Sequence, residues 1–266
     1  MEKKSSWKGF IESISVMQFI FTFLFLGVLC VVLMVYLMFT SLWILPTLYL
    51  SWQIMDWHTP ERGGRKSAFV RNWQIWKHAK DYFPVKLVKT AELSPSVIPV
   101  SKKCIEHLLT RSGVGNAVVI ITGGAEESLF SSPGVNTVVM KNRKGFVKLA
   151  LENGADLVPV YSFGETDTYR QVVLSEGSLG RKVQVIFKQV VGFAPCLFKG
   201  ERWFLMPYRS PITTVVGSPI TVPKAPSPTQ EQVDHYHQLY IEALTTLFHK
   251  HKTSCGLADT HQICII

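Results

Sequence analysis

The chain has 266 residues, of which 47% are hydrophobic, and it carries a formal net charge of +9 at pH 7. Its five cysteines form no close pair of the Cys-x-x-Cys kind, which argues against a disulfide framework and favours a reducing, cytosolic environment. The sequence contains neither a Gly-x-Ser-x-Gly elbow nor a P-loop, so the common serine-lipase and phosphate-loop sites are excluded.

The most informative stretch runs from Ser13 to Met55 and contains no Asp, Glu, Lys, Arg or His. As one helix it would be about 64 Å long at about 1.5 Å per residue, against a hydrocarbon core of about 30 Å. We therefore predict a transmembrane hairpin over residues 13–56, with its bend at residues 39–43 and Pro46 in the first turn of the second helix. Lysines and arginines on both flanks place both ends, including residues 1–12, in the cytosol. A single crossing followed by an interfacial segment is the alternative.

A basic segment with interleaved aromatic residues follows the apolar run and spans residues 57–96. That mixture suits the headgroup boundary of a bilayer. A nucleic-acid patch has a similar composition, but the position directly after a membrane helix favours anionic lipid. We predict an interfacial segment, and a positive flank without a ligand of its own is the alternative. The residues expected at the membrane interface are Trp57, Arg62, Arg65, Trp73, Trp76, Tyr82 and Phe83.

The remaining residues, 97–266, are enough for one α/β domain with a sizeable core. Ser101 is expected to cap a short helix that ends near Gly113. The continuous apolar run Asn116–Thr122 predicts a buried parallel strand that feeds a turn at two glycines.

The second half of this domain repeats the alternation of helix and strand. Gly145–Asn153 predicts a helix closed by Gly154, and Asp156–Phe163 predicts another buried strand. Pro211–Val222 predicts one or two short strands, and Thr229 opens a long amphipathic helix with a capping-box pattern. This succession predicts an α/β sheet with ligand residues on the loops beyond the carboxyl ends of its strands.

Two blocks of this domain are candidates for binding. Gly123 and Gly124 follow the first predicted strand, where glycines let backbone amides approach a substrate oxygen, and Glu127 is placed to orient a hydroxyl. Arg143 and Lys148 flank the start of the helix at residues 145–153. A tight turn and a solvated helix start are the plain structural alternatives for the two blocks.

Taken together, these blocks resemble the endoplasmic-reticulum acyl-CoA acyltransferases of neutral lipid synthesis. That family comprises monoacylglycerol, type-2 diacylglycerol and wax-alcohol acyltransferases. The matching motifs are Tyr82-Phe83-Pro84, Gly123-Gly124-Ala125-x-Glu127 and the stretch Arg143–Gly164, whereas Val85–Leu93 and Ser254-Cys-Gly256 look most like the monoacylglycerol branch.

The resemblance implies a glycerolipid-acyltransferase-like sheet with helices on both faces, in an endoplasmic-reticulum membrane protein whose domain faces the cytosol. It implies transfer of a fatty acyl group to monoacylglycerol, diacylglycerol or a long-chain alcohol, with acyl-CoA as co-substrate and neither cofactor nor metal. By the same resemblance Glu127 holds the acceptor hydroxyl, and Arg143 and Lys148 meet the phosphates of coenzyme A. The implied partners are the bilayer, the two substrates and a homo- or hetero-oligomer with related acyltransferases, with no role for nucleic acid.

One departure from the family pattern bears on catalysis. The signature His-Pro-His-Gly is expected shortly after Pro95, but Ser96 passes directly to Val97, so several tens of residues and an expected core strand are absent. By resemblance the first histidine of that signature is the general base, so we expect no identifiable catalytic residue and an incomplete core. His237 and Glu242 have the spacing of a His-x4-acid motif but are predicted to be structural. The competing interpretation is a catalytically inactive, internally shortened membrane protein that binds lipid or partners the intact enzyme.

Overall fold

A computed structural model describes residues 6–65, 67–83, 85–88, 100–110, 115–192, 194–201 and 205–266. The chain divides into two compact units. The first comprises Met1–Tyr82 with Pro95–Ser112, and the second comprises Phe83–Ser94 with Gly113–Ile266. The domain boundaries expected from the sequence stay predictions.

The first unit is helical, and its elements follow one another in the order the hairpin prediction requires. Its helices are α1 (Ser6–Phe21), α2 (Gly27–Met38), α3 (Ile44–Met55), α4 (Ala68–Arg71), α5 (Gln74–Tyr82) and α6 (Lys102–Thr110). A π-helical segment, Thr22–Leu26, joins α1 to α2 without a break. The chain turns at residues 39–43 and Pro46 lies in the first turn of α3, as predicted, and α2 contacts α3.

No residue of α2 is buried, and most of its large apolar side chains are exposed. Within the part of the chain that the structure describes, no helix is both long and apolar enough to cross a membrane. The transmembrane hairpin therefore stays a prediction.

Polar contacts position α6 within the first unit. The backbone amide of Cys104 donates to the Ser101 hydroxyl at 3.3 Å, so the predicted cap of α6 is confirmed. Gly113, where that helix was expected to end, lies outside the described residues. The Cys104 thiol donates to the carbonyl oxygen of Pro60 at 3.1 Å, and α1 packs against α5.

The second unit combines short strands with four helices among its described residues. The strands are β1 (Val85–Val88), β2 (Thr137–Val138), β3 (Val160–Phe163), β4 (Arg170–Val172), β5 (Leu197–Lys199), β6 (Ile212–Val216) and β7 (Cys264–Ile265). The helices are α7 (Gly124–Ser128), α8 (Gly145–Asn153), α9 (Leu179–Val191) and α10 (Gln230–His251). Mixed helix and sheet is thus confirmed as the fold class.

The strands form small sheets. The largest has the order β1-β6-β3, in which β1 runs parallel and β3 antiparallel to β6, and two pairs, β2 with β7 and β4 with β5, stand apart. The strand predicted over Asp156–Phe163 is present as β3, which is shorter and only partly buried. Val160 is 38% exposed whereas Phe163 is 2% exposed, because β3 lies at an edge of this three-stranded sheet.

The core of the second unit lies between α8, α10 and β3. Both ends of α8 are as predicted, and Gly154 closes the helix with a φ of 67°. The capping box at the start of α10 is confirmed, since the Thr229 hydroxyl accepts from the Gln232 amide and the Gln232 side chain accepts from the Thr229 amide. Leu151 and Phe248 are completely buried in this layer.

The apolar run Asn116–Thr122 does not form the buried strand that the sequence predicts. It forms neither helix nor strand, and Val119 is 74% and Ile121 83% exposed. A strand needs a neighbour to satisfy its backbone N–H and C=O groups. Among the described residues no strand pairs with this run, so the expected single sheet covered on both faces is not what the structure shows.

Candidate functional site

The two glycines after this run allow a tight turn that leads directly into α7. Gly124 has a φ of 58°, the left-handed region that glycine adopts without strain. A Cβ on Gly123 would overlap the side chain of Glu127, so only glycine lets that carboxylate fold back over the turn. The geometry of the turn is therefore fixed by the approach of Glu127.

Glu127 ties α7 to the chain after β2. Its Oε2 accepts from the backbone amide of Val139 at 2.9 Å. Burial raises the pKa of the Glu127 carboxyl, the Val139 hydrogen bond opposes that shift, and the charge of Glu165 adds to it. One carboxylate oxygen thus has a structural partner, and the predicted role of orienting an acceptor hydroxyl stays a prediction.

Arg143 lies at a charged cleft and pairs with a glutamate of α7. Its guanidinium donates to Glu126 Oε2 at 2.9 Å, and Lys188 Nζ lies 3.8 Å from Glu126 Oε1. The cleft has a volume of about 380 Å³ and is lined by Glu126, Phe130, Val139, Asn142, Arg143 and Ile266. Arg143 is therefore the predicted binding residue that the fold places at a cavity.

Lys148 does not join this cleft. It lies exposed on the second turn of α8, whereas Lys144 at the start of that helix pairs with Asp234 at 2.7 Å. The side chain that accompanies Arg143 is instead Lys188 of α9, which is only 20% exposed. No sequence pattern indicates Lys188, because 45 positions separate it from Arg143.

A second polar cluster is formed around Tyr161 of β3. The Tyr161 hydroxyl donates to Asn136 Oδ1 at 3.3 Å, and Asn136 Nδ2 lies 3.2 Å from His261 Nδ1. Burial, with the nearby charges of Glu127 and Glu165, raises the pKa of Tyr161 to about 12. Tyr161 is thus a neutral donor at physiological pH. Sequence reasoning missed this cluster, whose members are far apart along the chain.

His237, the histidine of the His-x4-acid spacing, is buried on α10. Its Nε2 lies 3.1 Å from the carbonyl oxygen of Met140, and burial lowers its pKa, so the ring is neutral and donates to that carbonyl. This contact accords with the structural role expected for His237.

Most of the predicted interface residues are surface residues of the first unit. Trp57 is 69% and Trp73 45% exposed, and Trp73 stacks on Trp76 with ring centroids 6.4 Å apart. Arg62 is exposed, and Arg65 pairs with Asp56 at 2.6 Å. These positions agree with an interfacial segment but do not test it.

The last two members of the predicted interface differ from the others. Tyr82 is 2% exposed at the end of α5, and its predicted role at the membrane interface stays a prediction. Phe83, which opens the second unit, is half-buried.

Comparison with known proteins places these features in context. A family described as diacylglycerol acyltransferase matches residues 35–97 and 93–266. Diacylglycerol O-acyltransferase 2 of Xenopus tropicalis is 44% identical over 328 residues, covering 99% of this chain and 91% of the relative. The human protein of that name is 43% identical, covering 94% of this chain and 81% of the relative. Human 2-acylglycerol O-acyltransferase 3 is 39% identical, covering 96% and 94%. No solved structure matches the chain.

The same comparisons locate an internal interruption. The alignment with the Xenopus tropicalis relative runs over 328 residues, whereas this chain has 266, so several tens of residues of the relative have no counterpart here. The family matches in two pieces that meet at residues 93–97. That meeting point is where the sequence passes from Ser96 to Val97 without the expected histidine signature.

Proposed function

Because the chain belongs to the diacylglycerol acyltransferase family, we propose that its site is built to transfer a fatty acyl group from acyl-CoA to a glycerolipid hydroxyl. The acceptor is monoacylglycerol or diacylglycerol, with a long-chain alcohol as a further substrate of this chemistry, and the products are the ester and free coenzyme A. The observation that carries this proposal is identity above 40% to proteins named diacylglycerol O-acyltransferase 2 over both pieces of the chain.

The described residues supply the surroundings of such a reaction. The turn at Gly123 and Gly124 is held by Glu127, and Arg143 brings positive charge to a cleft beside it. In acyl transfer the acceptor oxygen attacks the thioester carbonyl, its proton passes to a base, and the thiolate of coenzyme A leaves with a proton. The chain supplies the glycine turn, the positive charge of Arg143 and the cleft. The general base belongs to the histidine signature that the sequence lacks.

A second candidate function is a non-catalytic form of the same protein, which binds lipid or pairs with an intact relative. The specific observation in its favour is the exposed apolar run at residues 117–122, directly before the glycine turn, which pairs with no strand among the described residues. Loss of a general base alone costs about 10²–10⁴ in rate. Loss of an expected core strand adds to that cost, because among the described residues no strand supports the run that leads into the turn.

We propose that the protein resides in the endoplasmic-reticulum membrane, with residues 13–56 as the hairpin and residues 57–96 at the headgroup boundary. The support is the uncharged stretch from Ser13 to Met55 and the cations on both of its flanks. The second unit then faces the cytosol, where acyl-CoA is available. Protease protection of tagged termini in microsomes tests this orientation, because both tags must be cleaved without detergent.

An acyl-transfer assay separates the two candidates. Membranes from acyltransferase-deficient cells receive labelled oleoyl-CoA with monoacylglycerol, diacylglycerol or hexadecanol. The chain is compared with a version that carries, between Ser96 and Val97, the segment of the Xenopus tropicalis relative that lacks a counterpart here. The matched control is the same insertion with the first histidine of its signature replaced by alanine.

We expect ester from the restored form and a rate lower by about 10² or more from its alanine control. Ester from the unmodified chain at matched expression supports catalysis by the shortened form and contradicts the second candidate. Ester from the restored form alone identifies the shortened chain as non-catalytic. Absence of ester from every form, with all forms expressed and membrane-bound, contradicts the acyltransferase proposal.

A further inference from the structure

The charged side chains at and beside the cleft come from three separate parts of the chain. Glu126 lies on α7, Arg143 lies just before α8, and Lys188 lies on α9. Each oxygen of the Glu126 carboxylate faces its own cation, with Arg143 at 2.9 Å from Oε2 and Lys188 at 3.8 Å from Oε1. Two cations that are 45 positions apart in the sequence therefore converge on a single pair of oxygens.

A carboxylate held in this way presents two oxygens to the two cations, as a phosphate group also could. Arginine and lysine are the usual partners of phosphate, arginine through its planar donor fork and lysine as a point charge. The adjoining cleft of about 380 Å³ lies within the range of small-molecule sites. Its lining combines the amide of Asn142 with the apolar groups of Phe130 and Val139, which suits a phosphate ester carrying a larger organic group.

Two consecutive glutamates differ in how firmly they are held. Glu127 is fixed by the Val139 amide and by its fit over Gly123, so it cannot leave without breaking the turn. Glu126 is 42% exposed and its partner Arg143 is 48% exposed. Ion pairs with this exposure contribute little to stability, so Glu126 is free to rotate away when a competing anion arrives.

We propose that Arg143 and Lys188 form a phosphate subsite that Glu126 occupies until a phosphate group of coenzyme A displaces it. The inference rests on the proposed function for the identity of the ligand, since acyl-CoA is the phosphate-bearing substrate of that reaction. Glu126 then acts as an internal competitor that lowers the affinity of the subsite for coenzyme A.

Direct binding of coenzyme A to the full chain in phosphatidylcholine nanodiscs tests this subsite without any turnover. Glu126→Gln removes the competing charge, and we expect it to lower the Kd by about 3- to 10-fold. Arg143→Gln and Lys188→Gln each remove a cation, and we expect each to raise the Kd by about 10-fold. Lys182→Gln, at an exposed position on the same helix as Lys188, is the matched control and leaves the Kd unchanged.

The decisive result is the direction in which Glu126→Gln changes the Kd for coenzyme A. If Glu126→Gln raises the Kd as Arg143→Gln does, the carboxylate holds the site together and the inference is wrong. Arg143→Lys keeps the positive charge, so it retains most of the affinity for coenzyme A if the charge is what binds the phosphate. Thermal unfolding of each variant separates loss of binding from loss of fold. Phosphatidic acid added to the nanodiscs distinguishes a lipid phosphate, because displacement of coenzyme A by this lipid contradicts the assignment.

Failure of this inference is distinguishable from failure of the acyltransferase proposal. If the restored form makes ester with a KM for acyl-CoA that is unchanged by Arg143→Gln and Lys188→Gln, the subsite is wrong while the reaction stands. If the binding changes follow the expected signs but no form makes ester, the subsite stands and the reaction is wrong.

Discussion

Two regions of the second unit differ in how far their apolar side chains are buried. One is the layer formed by α8 and α10, and the other is the run Asn116–Thr122. Leu151 and Phe248 in the layer are completely buried, whereas Ile121 in the run is 83% exposed. A helix satisfies its backbone groups internally and needs only a surface against which to pack. A strand depends on neighbours supplied by another part of the chain. We therefore expect the segment missing after Ser96 to affect the run and not the helices.

The largest expected effect concerns backbone protection of the run. Insertion of the relative's segment between Ser96 and Val97 should give residues 117–121 a strand partner, and their amide exchange should slow by about 100-fold or more. Hydrogen–deuterium exchange with mass spectrometry measures this change. The amides of α10 serve as the control because that helix is already packed. Unchanged exchange in the run would show that the inserted segment pairs elsewhere.

The second prediction compares buried and exposed apolar side chains directly. Phe248→Ala should lower the free energy of unfolding by about 3–5 kcal/mol, since it leaves a cavity in the layer. Val119→Ala in the run should change it by less than about 0.5 kcal/mol, because a surface substitution leaves no cavity. Urea unfolding in detergent micelles measures both values. Equal losses would mean that the run is buried in the folded protein.

The third prediction tests whether the glycine turn is packed like the layer. Gly123→Ala pushes Glu127 away from the buried Val139 amide, and an unsatisfied buried donor costs about 1–3 kcal/mol. Gly145→Ala is the matched control, because a Cβ there meets nothing within 4 Å. Thermal unfolding of the two variants measures the difference. A neutral Gly123→Ala would contradict the close approach of Glu127.

The smallest effect is the pH dependence that Glu127 contributes. Because burial raises the pKa of this carboxyl in the folded state, the folded protein holds the proton more tightly than the unfolded chain. The group therefore favours folding below its ordinary pKa, and that contribution is lost as the pH rises through the raised folded value.

Glu127→Gln keeps an acceptor for Val139 without the charge. We expect the free energy of unfolding at pH 7 to rise by less than about 1 kcal/mol and its change between pH 4 and pH 7 to become smaller. Unfolding curves at the two pH values measure both quantities. A loss of stability at pH 7 would show that the charge of Glu127 is needed there.

The sequence alone determined the features that depend on neighbouring residues. The capping box of Thr229 and Gln232, the bounds of α8 with Gly154, and the turn at residues 39–43 follow from local geometry, and each was predicted correctly. Family membership also came from linear motifs, because their residues and spacings are read directly along the chain. The absence of the histidine signature is likewise a fact of the sequence.

Only the tertiary structure decided which side chains meet. Glu127 reaches the amide of Val139, Glu126 gathers Arg143 and Lys188, and Tyr161 is joined through Asn136 to His261. None of these contacts has a signature at short sequence spacing, because each depends on how separate elements pack. The same reason explains why residues 117–122 form no strand in the part of the chain that the structure describes: their apolar pattern is that of a strand, but pairing requires a second strand that these residues cannot supply.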